Sequence, residues 1–334
     1  MWNILIGILV VLSFNAHSEK LDKITEITAS SDCFRGSFAT YDKWISMLSK
    51  SPSFSKERFP FTKTQFDHFN ARLACQTFIY EVDGVAVDGY VIYPSESEGS
   101  LPTIIYNRGG NTNYGRVIFG KMMFDLMPLA DKGFVVIGSQ YRWSGKDKKA
   151  EEFIADGTED QFGGVDVQDV LALIPIIKQL KIADSERIGV YGASRGGMQS
   201  FLVAKAHQDI KAIAVVSGIS DVTTFKNRNE DTAFLLSKLI PDYYNNVDEA
   251  LKYRSAVQWA DSLPDAPTLL IHAKDDERVA FSQSVNMAAA LEKAGKPYKF
   301  IKYETGGHDL SSHHEEVLDE IVSWFKSNLT EHKM

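Results

Sequence analysis

The feature that most constrains the fold of this chain is the segment at residues 187–197, which reads RIGVYGASRGG. A β-branched apolar run leads into the glycines and an apolar helical pattern without proline follows, which together predict a strand, a sharp turn and a helix. Ser194 stands at the turn. Gly192 and Gly196 lie two residues to either side, where a Cβ would obstruct the close approach of strand and helix. Such a turn exposes the serine hydroxyl and directs the backbone N–H of Arg195 to the same point.

Strand patterns recur along the rest of the chain. The Asp83-Gly84 pair between residues 77–82 and 85–93 predicts an antiparallel hairpin. Short continuous apolar runs predict further strands that are buried on both faces of a sheet. Besides the strand before Ser194, these runs are residues 103–106, 134–139, 212–217 and 268–272, and one more strand is predicted at residues 298–303.

Helical spacings separate these strands, at residues 117–129, 165–180, 282–294 and 312–329. Pro175 is expected to kink the second of these helices, and residues 312–315 fit a capping box at the start of the last. The alternation predicts an α/β fold in which a mostly parallel sheet carries helices on both faces and opens with the antiparallel hairpin.

Two stretches depart from this alternation. Residues 19–75 lack long periodicity apart from a short amphipathic helix at Tyr41–Leu48, and their phenylalanine-rich part is expected to pack on a larger body. We therefore interpret them as a segment wrapped around a single domain at residues 76–330. Within that domain, residues 221–261 are mostly helical in pattern and rich in aromatic rings, which predicts a short helical lid over the site.

The first eighteen residues predict a signal peptide. Residues 4–14 are apolar but too few to span a bilayer, and Ala16-His17-Ser18 offers small residues for cleavage after Ser18. Residues 1–3 carry no Lys or Arg, so an uncleaved anchor stays open as the alternative. Cleavage predicts an exported protein, periplasmic or secreted, without stable insertion in the membrane.

The chain has two cysteines, Cys33 and Cys75. In an oxidising compartment this pair predicts a disulfide, whose loop of about forty residues would stabilise the fold by roughly 4 kcal/mol in the chain-entropy model. Two unpaired buried thiols are the alternative.

The charge balance argues against one class of partner. The formal net charge is −8 at pH 7, whereas binding to nucleic acid needs clustered Lys and Arg. We therefore expect no nucleic-acid partner, while composition leaves the oligomeric state and the substrate open.

A serine nucleophile needs a base to accept its proton. In parallel α/β sheets chemistry gathers at the carboxyl ends of the strands, and His308 lies in the glycine-containing loop after the last predicted strand. A surface histidine in a glycine turn is the alternative. His313 and His314 lie nearby, but they fit exposed positions at the start of a helix, so we expect no metal site.

The base in turn needs a carboxylate that orients it. Asp275 and Asp276 follow the strand predicted at residues 268–272, and Asp221 follows the strand before it. Each of them gives the order serine, acid, histidine, which is the order of α/β-hydrolases.

Acyl transfer also needs hydrogen-bond donors for the developing oxyanion. We expect one to be the backbone N–H of Arg195. The other is expected from the glycine turn at residues 107–111, at Gly109, for which a loop without such a role is the alternative.

Three motifs together resemble the catalytic domain of the prolyl oligopeptidase family of serine peptidases, within the α/β-hydrolase superfamily. They are VYGASRGG, HAKDDERVAFSQS and the YETGGHD run that contains His308. The resemblance covers about residues 76–330 and implies the α/β-hydrolase fold. In the family pattern the acid stands three residues before a valine, here Val279, so the resemblance favours Asp276 over Asp275.

The chain departs from the family pattern at several points. Ala273 replaces a usual glycine and Ala280 a usual proline. Arg108 stands where members tend to carry a histidine, or a tyrosine that helps to bind the oxyanion. Arg108 is therefore a candidate donor or substrate contact, with a structural ion-pair partner as the alternative. Members also generally carry a β-propeller that restricts access to short peptides, whereas only residues 19–75 precede the predicted sheet here.

The resemblance implies a serine hydrolase that works through an acyl-enzyme, with Ser194, His308 and Asp276 as the triad and without metal or organic cofactor. The leading expectation is a peptidase of prolyl oligopeptidase type acting on short peptides or aminoacyl amides. A carboxylesterase acting on small acyl esters is the alternative, because free-standing members of this fold are often esterases. A non-catalytic binding protein is the more remote alternative, and the intact set of three residues speaks against it.

Overall fold

One sheet organises the chain in the computed structural model, which describes residues 21–142, 159–225 and 230–329. Its nine strands are β1 Ile27–Asp32, β2 Leu73–Val82, β3 Val85–Pro94, β4 Leu101–Asn107, β5 Val135–Ser139, β6 Ala183–Ala193, β7 Ala212–Val216, β8 Thr268–Ala273 and β9 Tyr298–Tyr303. Their order is β1-β2-β3-β5-β4-β6-β7-β8-β9. Three neighbouring pairs are antiparallel, namely β1 with β2, β2 with β3 and β3 with β5. All other neighbouring strands are parallel. This confirms the predicted α/β fold with an antiparallel start.

Helices cover both faces of the sheet, because each turns an apolar side towards it. The helices are α1 Tyr41–Leu48, α2 Lys63–Arg72, α3 Phe119–Lys121, α4 Met127–Asp131, α5 Asp166–Leu171, α6 Leu173–Gln179, α7 Arg195–Ala206, α8 Glu230–Leu239, α9 Val247–Tyr253, α10 Ser282–Lys293 and α11 His314–Asn328. A π-helical turn at Met122–Leu126 joins α3 to α4. Side chains of α1–α4 and α11 share one buried cluster with the sheet, and those of α5–α10 share the other.

Two local predictions about helices had different outcomes. The helix predicted over residues 165–180 is divided at Ala172 into α5 and α6, because Pro175 has no N–H to donate to the carbonyl one turn earlier. The capping box predicted at residues 312–315 is wrong: His313 is the N-cap of α11, and its side chain makes no capping bond. The structure instead forms a capping box between Thr62 and Gln65, at the start of α2.

The N-terminal segment contributes an edge strand that the sequence pattern did not indicate. β1 pairs with β2 in antiparallel register, although its sequence ITASSD has little of the apolar alternation that predicts strands. A disulfide joins Cys33, directly after β1, to Cys75 in β2. The aromatic residues of the segment pack as expected, with Trp44 in contact with Phe59 and Phe119. The segment is thereby tied to the sheet at several points.

Candidate active site

Ser194 lies at the turn between β6 and α7, in a backbone conformation that few residues adopt. Its φ is 57° and its ψ is −125°, outside the regions that L-residues favour. The Ser194 N–H donates to the carbonyl of Val216 at 2.9 Å, and the Ile219 N–H donates to the carbonyl of Ser194 at 3.1 Å. These bonds to the chain around the end of β7 hold the strained residue in place.

The two flanking glycines are required by close backbone approach. A Cβ on Gly192 would collide with the carbonyl oxygen of Gly196, and a Cβ on Gly196 would collide with that of Asn107. The strand-turn-helix predicted from the sequence is therefore present, and its glycines bring α7 against the carboxyl end of β4.

His308 and Asp276 are paired beside this turn. Nδ1 of His308 lies 2.8 Å from Oδ2 of Asp276. The other oxygen of Asp276, Oδ1, accepts from the backbone N–H groups of Arg278 at 2.8 Å and Val279 at 2.9 Å. The carboxylate is thus held from the backbone on one side and faces the imidazole on the other.

Burial opposes ionisation of Asp276, but bonds from His272, His308 and the Val279 N–H outweigh it and hold the pKa of this carboxyl well below its usual value. Asp276 is therefore an anion at neutral pH. This is the state that can orient an imidazole and stabilise its protonated form.

His272 is a partner of Asp276 that sequence reasoning missed. It is fully buried in β8, and its Nε2 lies 3.0 Å from both Asp276 Oδ2 and the Val279 carbonyl. Its Nδ1 lies 2.8 Å from the hydroxyl of Ser284. The available signal was a histidine inside an otherwise apolar strand, four residues before the aspartate.

The other two candidate acids lie elsewhere. Asp275 accepts from the N–H groups of Gly306 and Gly307 and so supports the loop that carries His308. Asp221 bonds to the hydroxyl and N–H of Thr223. Asp276 is the one of the three that pairs with His308.

A cavity of about 380 Å³ contains both Ser194 and His308 on its wall. Gly109 lies on the same wall, close enough that a Cβ there would be 3.3 Å from the Cβ of Ser194. Most of the remaining wall is apolar and aromatic. These residues include Tyr106, Phe124, Tyr191, Val216, Leu310, Val317, Leu318 and Ile321.

A charged cluster lies on the wall of this cavity, and sequence reasoning missed it too. Lys121 Nζ is 2.6 Å from Asp125 Oδ2, and His314 Nε2 is 3.2 Å from Asp125 Oδ1. Burial raises the pKa of Asp125, but the bonds from His314 and Lys121 prevail and lower it. His314 also stacks on Phe124 at 3.8 Å, so the expectation that it is merely an exposed residue at a helix start is wrong. In the described part of the chain, no cluster of His, Cys, Asp or Glu is suited to a metal.

The segment predicted as a lid lies elsewhere. Of residues 221–261, none that the structure describes lines the cavity. Phe225, Tyr243 and Trp259 are instead buried in the cluster that packs α5–α10 on the sheet. Phe234, Tyr244 and Tyr253 are exposed, so the aromatic content of this segment did not predict where its rings lie.

Arg108 has a structural position rather than a substrate-facing one. It is fully buried, and its guanidinium donates to the carbonyls of Gly109, Thr112, Tyr114 and Gln140 at 2.8 to 3.1 Å. Its candidate role as a substrate contact is therefore corrected: because carbonyls occupy its donors, Arg108 braces the loop that carries Gly109. That loop, residues 108–115, is called the glycine loop below.

The side chain of Arg195 is buried as well, a feature the motif did not indicate. It bonds to Asp160, Asp166 and the carbonyl of Gly110. Its backbone N–H is at the first turn of α7, where helical N–H groups have no partner within the helix. This N–H directly follows Ser194 in the chain.

The comparison with known families decides the assignment. The model described as the prolyl oligopeptidase family matches residues 121–332, more than half of the chain. The chain belongs to the prolyl oligopeptidase family. Relatives named as peptidases also match the chain.

Relatives within the prolyl oligopeptidase family differ in length. The chain is 29% identical over 257 residues to the uncharacterized peptidase YuxL of Bacillus subtilis (strain 168), covering 74% of this chain and 38% of YuxL. It is 26% identical over 268 residues to the uncharacterized peptidase YtmA of the same strain, covering 79% of this chain and 98% of YtmA. The acylaminoacyl peptidase of Pyrococcus horikoshii has a TM-score of 0.66 at 22% identity, covering 82% of this chain and 45% of that one. The last comparison shows a common α/β-hydrolase fold.

Two sequence predictions concern the ends and the membrane. The predicted signal peptide lies outside the described residues. Across residues 21–142, 159–225 and 230–329, no helix has the length and apolar character needed to cross a membrane.

Proposed function

We propose that this chain is a serine peptidase that cleaves short peptides or aminoacyl amides through an acyl-enzyme. The observation that carries the proposal is the pairing of His308 with the anionic Asp276 on the wall of the same cavity that exposes Ser194. Names of relatives agree with it, since YuxL and YtmA are both named peptidases.

In this mechanism Ser194 Oγ attacks the substrate carbonyl carbon and transfers its proton to Nε2 of His308. Asp276 holds the Nδ1–H of His308 and stabilises the imidazolium. The carbonyl oxygen becomes an oxyanion that accepts from the backbone N–H groups of Arg195 and Gly109. The C–N bond then breaks as His308 returns the proton to the leaving amine, and water removes the acyl group by the same steps.

The cavity supports a small substrate with an apolar group. Rings and aliphatic side chains form most of its wall, and its volume of about 380 Å³ lies within the size range of small-molecule sites. The Lys121–Asp125 pair adds a polar patch to that wall. An apolar residue next to the scissile bond, with a hydrogen-bonding group at its far end, fits such a cavity.

The test is kcat/KM of the purified protein on two matched panels, aminoacyl and dipeptidyl amides beside esters with the same acyl groups. Ser194→Ala is the blank. We expect amide turnover that the blank lacks. Turnover of esters alone would replace the peptidase with a carboxylesterase, and absence of both, with no labelling by a fluorophosphonate, would replace it with a non-catalytic binding protein.

We also propose that the protein is exported, to the periplasm or the medium, after cleavage behind Ser18. The disulfide between Cys33 and Cys75 supports this, since such bonds persist in oxidising compartments. N-terminal sequencing of the protein from its native cells is expected to begin at Glu19. A chain that retains Met1 and partitions with membranes would contradict cleavage and favour an anchor.

A further inference from the structure

A buried ion-pair network that includes Arg195, the residue after Ser194, forms hydrogen bonds to the glycine loop. Arg195 Nη1 donates to the carbonyl of Gly110 at 2.9 Å and to Asp160 Oδ2 at 2.6 Å. The same oxygen of Asp160 accepts from the backbone N–H of Thr112 at 3.0 Å. Arg195 and Asp160 together therefore hold one carbonyl and one N–H of the loop.

Further contacts fix the guanidinium of Arg195 itself. Its Nη2 donates to Asp160 Oδ1 at 2.5 Å and to Asp166 Oδ2 at 2.7 Å. Its Cζ lies 5.0 Å from the ring centre of Tyr141 and 4.9 Å from that of Phe162. With salt bridges at its edge and rings beside it, the group has little freedom to move.

The network is buried yet ionised. Arg195 is 2% exposed and Asp160 1%. Burial opposes both charges, but their mutual contact keeps the pKa of the Arg195 guanidinium above its usual value and that of the Asp160 carboxyl below its usual value. Buried ion pairs contribute little net stability compared with apolar groups of the same shape, so stability alone does not account for this one.

Arg195 has an unusual double connection. Its backbone N–H follows Ser194 directly and is one of the two oxyanion donors proposed above, while its side chain holds the loop that carries the other, Gly109. One residue thus supplies one donor and bonds to the loop that supplies the other. Oxyanion donors act only when they are placed before the reaction.

We propose that the Arg195 side chain and Asp160 are positioning residues that fix the N–H of Gly109 relative to the N–H of Arg195. This inference rests on the proposed function, because it concerns the oxyanion of that reaction. Neither side chain touches substrate. Both act through the glycine loop.

The test compares Asp160→Asn with Asp169→Asn. Asp169 is a matched control because it too is fully buried and paired with a buried arginine, but its partner Arg142 follows β5 rather than the nucleophile. Kinetics on the best substrate are measured beside the Ki of a trifluoromethyl ketone, whose adduct oxygen occupies the oxyanion position, and of a non-covalent competitive inhibitor. Thermal unfolding reports the stability of both variants.

For Asp160→Asn we expect kcat to fall by about 10- to 100-fold, because a small displacement of a reacting geometry has effects of that order. The Ki of the ketone should rise by the same factor, while KM and the Ki of the non-covalent inhibitor change little. Asp169→Asn should lower the unfolding temperature but keep kcat and both Ki values. Equal losses of ketone binding in the two variants would overturn the inference, as would normal kcat in Asp160→Asn.

If Asp160→Asn does not fold, Arg195→Lys is the second variant. It keeps the backbone N–H and the positive charge, but its single side-chain nitrogen replaces the two that bond to Gly110, Asp160 and Asp166. A lower kcat with unchanged KM is again expected, and full kcat would overturn the inference. Failure of the proposed function looks different: wild-type protein would then show no hydrolysis that depends on Ser194, and both proposals would fall together.

Discussion

Replacing Asp276 with Asn is expected to lower kcat by about 10⁴-fold while leaving the fold intact, a loss seen where an aspartate fixes the tautomer of a catalytic histidine. The structure explains why the substitution would be so costly here. The N–H groups of Arg278 and Val279 donate to Oδ1 of Asp276, so the carbonyl oxygen of an asparagine must take that place. Its NH₂ then points at His308 and donates to Nδ1. His308 would carry its proton on Nε2 and could no longer accept one from Ser194.

The measurement is kcat and KM on the best substrate of the two panels, with Ser194→Ala as the blank and Asp275→Asn as the neighbouring control. Asp275 supports the His308 loop through two N–H groups, and an asparagine can still accept from one of them, so a loss of roughly 10-fold at most is expected. Asp276→Asn with more than a tenth of the wild-type kcat would remove Asp276 from the mechanism.

The same substitution should also change the dependence of stability on pH. The pKa of Asp276 in the folded protein lies well below the ordinary value of 3.8 for an aspartate, so the carboxylate contributes stability that is fully present above that ordinary value and is lost as pH falls further. The unfolding temperature of the wild type is therefore expected to fall more steeply below about pH 4 than that of Asp276→Asn. Parallel curves for the two proteins would contradict this.

Replacing Gly196 with Ala is expected to destabilise the protein by at least about 3 kcal/mol, because the new Cβ meets backbone atoms that have no free rotation. It would collide with the carbonyl oxygen of Asn107 and lie 3.0 Å from that of Arg108. Relief requires α7 to move away from the end of β4. Such a movement would separate Ser194 from Gly109 as well, so activity should fall with stability.

Gly120→Ala is the matched control. Gly120 lies in α3, and a Cβ there would meet only a ring atom of Trp44 at 3.9 Å, so we expect the free energy of unfolding to stay equal or rise by about 0.4–1 kcal/mol. Urea unfolding of the two variants and the wild type gives the comparison. A Gly196→Ala protein within 1 kcal/mol of the wild type would show that the turn has room the structure does not indicate.

Much of the architecture was predictable because it follows from local patterns. The hairpin around Asp83-Gly84 forms with Val82 opposite Val85, since both turn residues adopt positive φ as a turn of this type requires. The apolar runs form central strands, because a strand that is buried on both faces needs apolar side chains at successive positions. β1 was missed because it lies at the sheet edge, where backbone hydrogen bonds to β2 hold the strand although its own side chains show little apolar pattern.

The residues around Ser194 also fall into two groups, those that sequence motifs indicate and those that they do not. Turn chemistry and chain order indicated Ser194 and His308 from the chain alone, whereas the choice of Asp276 over Asp275 came from the family resemblance. The wide spacing of Arg195 from Asp160 and of Lys121 from His314 carries no such pattern. Their pairing depends on which helices and loops meet at one end of the sheet.

Local sequence was therefore sufficient for most strands and helices, for the sharp turn and for Ser194 and His308 as candidate reacting groups, because these depend on residues within a few positions of one another. Tertiary structure alone decided the surroundings. It buried Arg108 among carbonyls, left residues 221–225 and 230–261 out of the cavity wall, and placed His272 against Asp276. Burial and charge pairing depend on residues that are close in space but distant in the chain, so local sequence patterns do not indicate them.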